Sequence, residues 1–197
     1  MRGYINGINW VEIAPMKYWS FTASTPIEKR RDTIHNAIFG GDYIGALKVD
    51  GYYERFVKDE DGNCFLIARS RNVKGEVVNK IEWLPHLNGW FNSLPNGTCL
   101  LCECYLPGNE GSKTITSILG CLKEKAIARQ KDSPLHLYVF DVMAFSGQNF
   151  NKTPYEKRAD FLEKNLIDYK SDYVEYAKFY EGKELWDKIS EYLQSGR

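Results

Sequence analysis

Apolar residues in this chain gather into short runs separated by clusters of Gly, Pro, Asn and Asp. That is the pattern of strands joined by tight turns. Tyr52 to Val57 and Cys64 to Ser70 flank Asp59-Glu60-Asp61-Gly62-Asn63, which predicts a β-hairpin. Thr98 to Tyr105 lies between Pro95-Asn96-Gly97 and Pro107-Gly108 and reads as a buried strand. Further strands are expected at 42–49, at 135–142 and near 173–177. Helix signals stand between them. Thr25-Pro26-Ile27-Glu28 predicts a start with Thr25 as N-cap, Pro26 at the first helical position and Glu28 closing a capping box. That helix is expected to end near Phe39, before Gly40-Gly41. Residues 82–94 read as helical with interruptions at Pro85 and Gly89, and 112 to about 130 as helical throughout. Thr153-x-x-Glu156 predicts a cap for a helix running to about Asn165, and a last helix is expected from about Glu181 to Leu193. Residues 1–24 are irregular and aromatic. No repeat or low-complexity stretch interrupts the order. Hairpins mixed with packed helices predict an α+β fold with mainly antiparallel sheet.

Composition narrows the class. A length of 197 residues suits one domain, and 43% hydrophobic with 14% aromatic residues can build a sizeable core. The 26 basic and 26 acidic residues cancel, so no global positive field advertises nucleic acid, although a local basic face stays open. Five cysteines, an odd number, and no signal peptide fit reduced thiols in a cytoplasmic protein. No apolar run approaches a membrane span. Cys99, Cys102 and Cys104 imitate a metal-ligand spacing. In a strand, Cys102 and Cys104 share one face while Cys99 points the other way, and no histidine lies nearby, so they read as small core residues.

The candidate chemistry starts at Lys48-Val49-Asp50-Gly51. A lysine in a half-buried strand loses its proton more easily than a free one, and neutral lysine is a nucleophile. The glycine allows close backbone approach. Alone, K-x-D-G arises by chance in roughly one chain of this size in twenty, and it reads equally as a surface lysine opening a hairpin. Four later segments bear on it. Arg69-Ser70-Arg71-Asn72 at a strand end can present a guanidinium fork to phosphate, or simply decorate a hairpin. Glu103 puts a carboxylate in an apolar strand, which is costly unless it binds something or faces outward. Phe140-Asp141 closes a strand with an aromatic that can stack on a base or fill the core. Asn149 to Arg158 ends in Pro154-Tyr155-x-x-Arg158 and says little by itself.

Taken in order, these segments resemble the covalent nucleotidyltransferases, and within them the ATP-dependent DNA ligases of the compact, phage-like kind. Lys48-Val49-Asp50-Gly51 is similar to the family's first motif and Ser70-Arg71-Asn72 to the S-R-N element after it. Glu103 in Cys102-Glu103-Cys104-Tyr105-Leu106-Pro107-Gly108 is similar to the third-motif glutamate. Tyr138-Val139-Phe140-Asp141-Val142 is similar to the adenine-stacking segment, and Pro154…Arg158 follows it at the usual distance. The likeness runs from about residue 42 to 165. It implies an ATP-grasp-like nucleotidyltransferase (adenylation) domain over residues 1–197. It implies that Lys48 attacks the α-phosphorus of ATP and carries AMP, which then passes to a 5′-phosphate at a nick for sealing. Mg²⁺ would offset phosphate charge. Asp50 and Gly51 belong to the nucleotide-binding motif, Arg71 would bind a phosphate, Glu103 would contact the ribose or the metal, and Phe140 would stack on adenine. The implied partners are ATP and nicked double-stranded DNA, met by a monomer without a membrane.

The chain departs from the family in three places. An acidic residue usually stands two positions before the lysine, where this chain has Ala46. An arginine usually stands two positions after the glycine, where it has Tyr53; Arg55, on the same strand face, is expected to reach the same phosphate. The fourth motif, E-G-x-V-x-K, the lysine-containing fifth motif and the oligonucleotide-binding-fold domain have no match. Glu181-Gly182-Lys183 is a partial echo, and Gln194-Ser195-Gly196-Arg197 is similar to the turn before the fourth motif. The expectation is a domain cut there, with little lysyl-AMP formed by this chain alone. An RNA ligase or capping guanylyltransferase shares the lysine chemistry, and a non-catalytic nucleotide- or DNA-binding fragment stays open.

Overall fold

The structure is a computed structural model. It describes the chain except residues 1–3, 6, 14–24, 42, 70, 109–111 and 195–197, with Tyr4, Ile27, Ser112 and Leu193 described by backbone alone. Ser70 of the S-R-N element, most of the aromatic stretch before residue 25 and the last three residues therefore lie outside the described residues. Two compact bodies are present: Met1–Ala14 with Lys48–Ala177, and Pro15–Leu47 with Lys178–Arg197.

In chain order the elements are β1 (Tyr4–Ile5), β2 (Ile8–Asn9), α1 (Ile27–Phe39), β3 (Ile44–Ala46), β4 (Tyr52–Lys58) and β5 (Cys64–Ala68). Then come α2 (Asn88–Ser93), β6 (Thr98–Tyr105), α3 (Ser112–Leu119), α4 (Lys123–Arg129), β7 (His136–Phe145) and β8 (Gln148–Asn149). α5 (Tyr155–Phe161), β9 (Val174–Tyr176), β10 (Phe179–Glu181) and α6 (Gly182–Gln194) complete the chain.

The larger body is built on a sheet ordered β5-β4-β6-β7-β8, with β9 also paired to β7. All pairings are antiparallel except β7 with β9. This is the predicted α+β class with mainly antiparallel sheet. The hairpin turn forms as its residues suggest. Asp59 accepts from the Asn63 backbone N–H at 2.7 Å and from Asn63 Nδ2 at 3.0 Å, while Gly62 takes the positive φ of 85° that the turn requires.

β6 is buried along nearly its whole length, the signature of a central strand covered on both faces. One cover is the β1–β2 hairpin. Ile5, Ile8 and Trp10 are almost fully buried against Val57, Ile67, Cys99, Leu101 and Ala144. On the opposite face Phe56 stacks on Phe91 of α2 at 5.2 Å. α2 ends where Lys58 Nζ donates to the carbonyls of Asn92 and Leu94, both at 2.8 Å, which satisfies a helix end that no further turn continues.

The smaller body pairs β3 with β10 and carries α1 and α6. His35 lies 4.4 Å from Phe39 and 5.0 Å edge-on from Trp186, and the Arg31 guanidinium lies 5.7 Å from the Trp186 ring.

Several boundaries differ from the sequence expectations. The strand expected at 42–49 is only Ile44–Ala46, so Lys48 lies beyond it. α1 is capped by Pro26, with no side-chain cap bond. The capping box expected from Thr25 and Glu28 is not made, because the rigid φ of Pro26 already sets the first turn. Pro154, not Thr153, precedes α5 for the same reason. The helix expected over 112–130 breaks at Gly120-Cys121 into α3 and α4. Residues 82–94 resolve into two 3₁₀ turns and the short α2, split at Pro85 as expected, whereas Gly89 lies inside α2 and does not interrupt it. β10 went unanticipated because three residues are too few to show alternation; its partner β3 defines it. No helix among the described residues is long and apolar enough to cross a membrane.

Candidate nucleotide site

Lys48, Gly51, Glu103 and Phe140, among the candidate residues, come together on one face of the large sheet. In a strand, successive side chains take opposite faces, and directly paired residues share one. β4 and β6 pair Tyr53 with Glu103, and β6 and β7 pair Glu103 with Tyr138. Tyr53, Glu103 and Tyr138 thus form one row. Phe140 joins the same face through a bulge: Leu101 pairs with Asp141 and Cys102 with Val139, which leaves Phe140 between them without a partner on β6. Its ring centroid lies 6.4 Å from that of Tyr53.

Lys48 and Gly51 approach Glu103 from the segment leading into β4. Burial pushes the half-buried Glu103 carboxyl up to about 7, the Lys48 charge and a hydrogen bond from the Gly51 backbone N–H pull it down, and Asp50 pushes it up. Gly51 shows why a glycine stands here. A Cβ would lie 2.4 Å from the Cys104 carbonyl oxygen and 2.8 Å from Glu103 Cγ. The close approach that the sequence assigned to a ligand is made by β6 itself, and it brings the Gly51 N–H onto the carboxylate.

Lys48 itself differs from expectation. Its side chain is exposed and it belongs to no strand. The half-buried strand position expected for it is therefore not found.

Arg55 is placed elsewhere than expected. It shares the Tyr53 face, as alternation requires, but it is 3% exposed. Nη1 donates to the Val11 carbonyl at 2.8 Å and also to that of Ile13, and Nη2 donates to Ala68 at 2.9 Å. The guanidinium is spent on three backbone carbonyls, two of them in the segment that crosses this face after β2. The Tyr53 hydroxyl donates to the same Ile13 carbonyl at 3.4 Å. Arg71 is exposed and donates to the Gly75 carbonyl at 3.0 Å. Asn72 folds that loop by accepting from the backbone N–H groups of Lys74 and Glu76, both at 2.9 Å.

Asp141 and Arg158 explain the segments that sequence left without a role. Arg158 Nε donates to Asp141 Oδ1 at 2.8 Å and Nη2 to Oδ2 at 2.9 Å, a bidentate pair buried at both ends. It fastens α5 to β7 at the residue that follows Phe140. The signal was the fixed order of Phe140-Asp141 and Pro154…Arg158; only the fold turns it into a contact.

The three strand cysteines are all buried, and all five are free. Among the described residues no group of three or more His, Cys, Asp or Glu side chains could hold a metal ion.

The sequence model of the ATP-dependent DNA ligase domain matches residues 26–197. A search of curated proteins finds no match. Among solved structures the chain is similar to a Lig E DNA ligase, described as binding DNA with a minimal scaffold. The TM-score is 0.53 at 15% identity, covering 82% of this chain and 55% of that one. It is also similar to the ATP-dependent DNA ligase of bacteriophage T7 in complex with ATP. There the TM-score is 0.50 at 17% identity, covering 91% of this chain and 58% of that one. At these identities the likeness is one of fold, and the chain spans little more than half the length of either structure. The family's own sequence model reaches over most of the chain, from before the lysine segment to the end: this chain belongs to the ATP-dependent DNA ligase domain family.

Proposed function

We propose that the chain carries the nucleotidyl-transfer chemistry of DNA ligation, with Lys48 as the nucleophile. The observation that carries this reading is the coupling of Lys48, the Gly51 N–H and Glu103 on the sheet face that also presents Phe140. A proton leaves the exposed Lys48 ammonium to water. Nζ then forms a bond to the α-phosphorus of ATP while the bond to pyrophosphate breaks, leaving AMP on the lysine as a phosphoramidate. AMP passes to a 5′-phosphate of nicked DNA, and a neighbouring 3′-hydroxyl displaces it to seal the strand. Phe140 offers its ring to adenine from the bulge. Arg71 keeps a phosphate-binding role, because its contact to Gly75 is exposed and can be exchanged for a phosphate oxygen.

Mg²⁺ is bound by one or two carboxylates together with substrate phosphates rather than by an all-protein cage. Glu103 with Asp50 nearby fits that donor set, because both are hard oxygen donors and Glu103 is only half-buried. The cation, when bound, supplies neutralisation of phosphate charge.

The test is mass spectrometry of the chain after incubation with ATP. An AMP adduct on Lys48, absent from Lys48→Ala, is the expected result. The fourth and fifth motifs of the family have no match in these 197 residues, so labelling well below one AMP per chain is expected. Complete absence of the adduct, with ATP still bound equally by Lys48→Ala, would favour a nucleotide-binding protein without transfer chemistry.

A further inference from the structure

The loop from β5 to the 3₁₀ turn at Ile81–Trp83 holds one apolar side chain out to solvent. Val73 is fully exposed, more so than any other large apolar residue among the described ones. Turn positions are usually filled by Gly, Pro, Asn, Asp or Ser. At this exposure the valine contributes no packing to the fold. Hydrogen bonds hold the loop from within. The Asn72 N–H donates to the Glu76 carbonyl at 2.9 Å, and the Gly75 N–H donates to the Asn72 carbonyl at 2.8 Å. Gly75 takes a positive φ of 77° to close the turn. The exit is stitched to β5: the Lys80 N–H donates to the Leu66 carbonyl at 2.7 Å, and Asn79 Oδ1 accepts from the Leu66 N–H at 2.9 Å. A tip fixed in this way loses little conformational freedom on binding. The charge around it has one sign. Arg71 and Lys74 flank Val73, Arg69 precedes them, and all three are exposed. Glu76 is the one acid between residues 69 and 76, and its carboxylate accepts from Asn72 Nδ2 at 2.9 Å.

We propose that this tip docks on duplex DNA, laying Val73 into the minor groove while Arg71 and Lys74 meet the phosphates that border it. The choice of DNA as partner rests on the ligase reading above. The minor groove is about 6 Å wide and takes a single side chain from a loop tip, whereas a helix or a two-stranded ribbon needs the major groove, at about 12 Å. An apolar side chain set among cations is a recurrent minor-groove device. The methyl groups meet sugars and the cations meet phosphates, so the contact carries little sequence information and suits sealing at any sequence. An anionic lipid surface asks for a broad apolar face, which one valine does not make.

The experiment measures binding of the full chain to a nicked, A·T-rich duplex by fluorescence anisotropy over a range of salt. Val73→Ala should weaken binding about fivefold, for methyl groups that the groove covers in part, and leave the salt slope unchanged. Val73→Asp sets a carboxylate against phosphates and should weaken it at least about fiftyfold. Lys74→Ala should lower the salt slope by about one. Netropsin, a minor-groove ligand, should displace the wild type. Leu122→Ala, which removes an exposed apolar side chain from another loop, should bind as the wild type does. Val73→Ala and Val73→Asp both within about twofold of wild type overturn the proposal, as does a wild type that netropsin leaves in place. Val73-dependent binding to phosphatidylserine vesicles, with duplex binding indifferent to Val73, overturns it too. Lys48 labelling by ATP needs no DNA and keeps the two readings apart. An adduct with no Val73 effect on duplex binding sinks only the docking tip. Val73-dependent duplex binding with no adduct sinks the transfer chemistry and leaves the tip standing.

Discussion

Glu54 and Glu103 occupy adjacent rows of one sheet and point to opposite faces, because Tyr53, one residue before Glu54, pairs with Glu103. Both carboxyls are held above the usual carboxylate range by burial. Their surroundings then diverge. Glu103 is half-exposed and receives the Gly51 N–H and the Lys48 charge. Glu54 is fully buried, and neither of its oxygens has a partner. Lys80, whose charge pulls it down most, holds its ammonium 4.3 Å from the Trp83 ring centroid and closes no ion pair with it among the described residues. Glu54 is pushed up to about 8 by burial, against the pull of Lys80 and Arg55. A shifted carboxyl is therefore not by itself a sign of function. What marks Glu103 is access together with a donor and a cation; Glu54 lies on the face that packs as core.

The widest separation of the two should appear in catalysis. Glu103→Gln is expected to lower AMP-adduct formation by roughly a hundredfold, because the amide lacks the negative charge proposed to hold the cation beside the phosphates. Its melting temperature should change little. Glu54→Gln should leave adduct formation within about twofold, since it lies on the other face. Equal activity losses in both variants, measured as adduct per chain, would erase the functional contrast.

The next largest effect lies at the Asp141–Arg158 pair. Arg158→Ala leaves Asp141 charged and buried without its partner, which costs about 3–5 kcal/mol. Denaturant unfolding should show that loss. Lys123→Ala removes the exposed partner of Glu82 and should cost well under about 1 kcal/mol.

The pH dependence of stability isolates Glu54. Its folded pKa, about 8, lies above the unfolded value of 4.5, so its contribution is fully present below pH 4.5. It is lost as pH rises through about 8, because the unfolded chain releases the proton first. The change over that window is on the order of a few kcal/mol. Glu103 acts in the same direction between 4.5 and about 7, more weakly because it is half in water. Glu54→Gln, a neutral mimic, should flatten most of the slope measured by urea unfolding from pH 5 to 8. A slope unchanged in that variant would mean that Glu54 ionises in the folded protein and that its surroundings are wetter than its packing indicates.

The same two glutamates mark what could be read in the sequence. A carboxylate in an apolar strand singled out Glu103, and turn residues at both ends fixed β6 to the residue. That test applied equally to Glu54, between Tyr53 and Arg55, but alternation along one strand cannot say which face is covered. Burial of the Glu54 face depends on α2, α3 and the 3₁₀ turns folding over it, and these are long-range contacts. Arg55 was hidden for the same reason: its partners at Val11 and Ile13 come from more than forty positions away. Lys48 was identified by its motif, yet its exposure depends on β3 ending at Ala46, and strand ends are set by the partner strand rather than by local residues.

The smallest effect concerns Tyr53, whose role on the Glu103 face divides between ring and hydroxyl. The hydroxyl is held protonated by burial far above the ordinary tyrosine range. Its bond to the Ile13 carbonyl is 3.4 Å long, beyond the usual span of an O–H···O bond. The ring does more: it packs beside Phe140 and continues the cluster that buries Trp10 and Leu101. Tyr53→Phe should therefore cost at most about 0.5 kcal/mol and keep adduct formation and sealing within about twofold. Arg55 alone then suffices to hold residues 11–13. A tenfold loss of sealing in Tyr53→Phe, with stability intact, would place the hydroxyl on the substrate. The position two after the motif glycine would then be a polar contact in its own right, and the contrast between a half-open Glu103 face and a packed Glu54 face would extend one strand further, to β4.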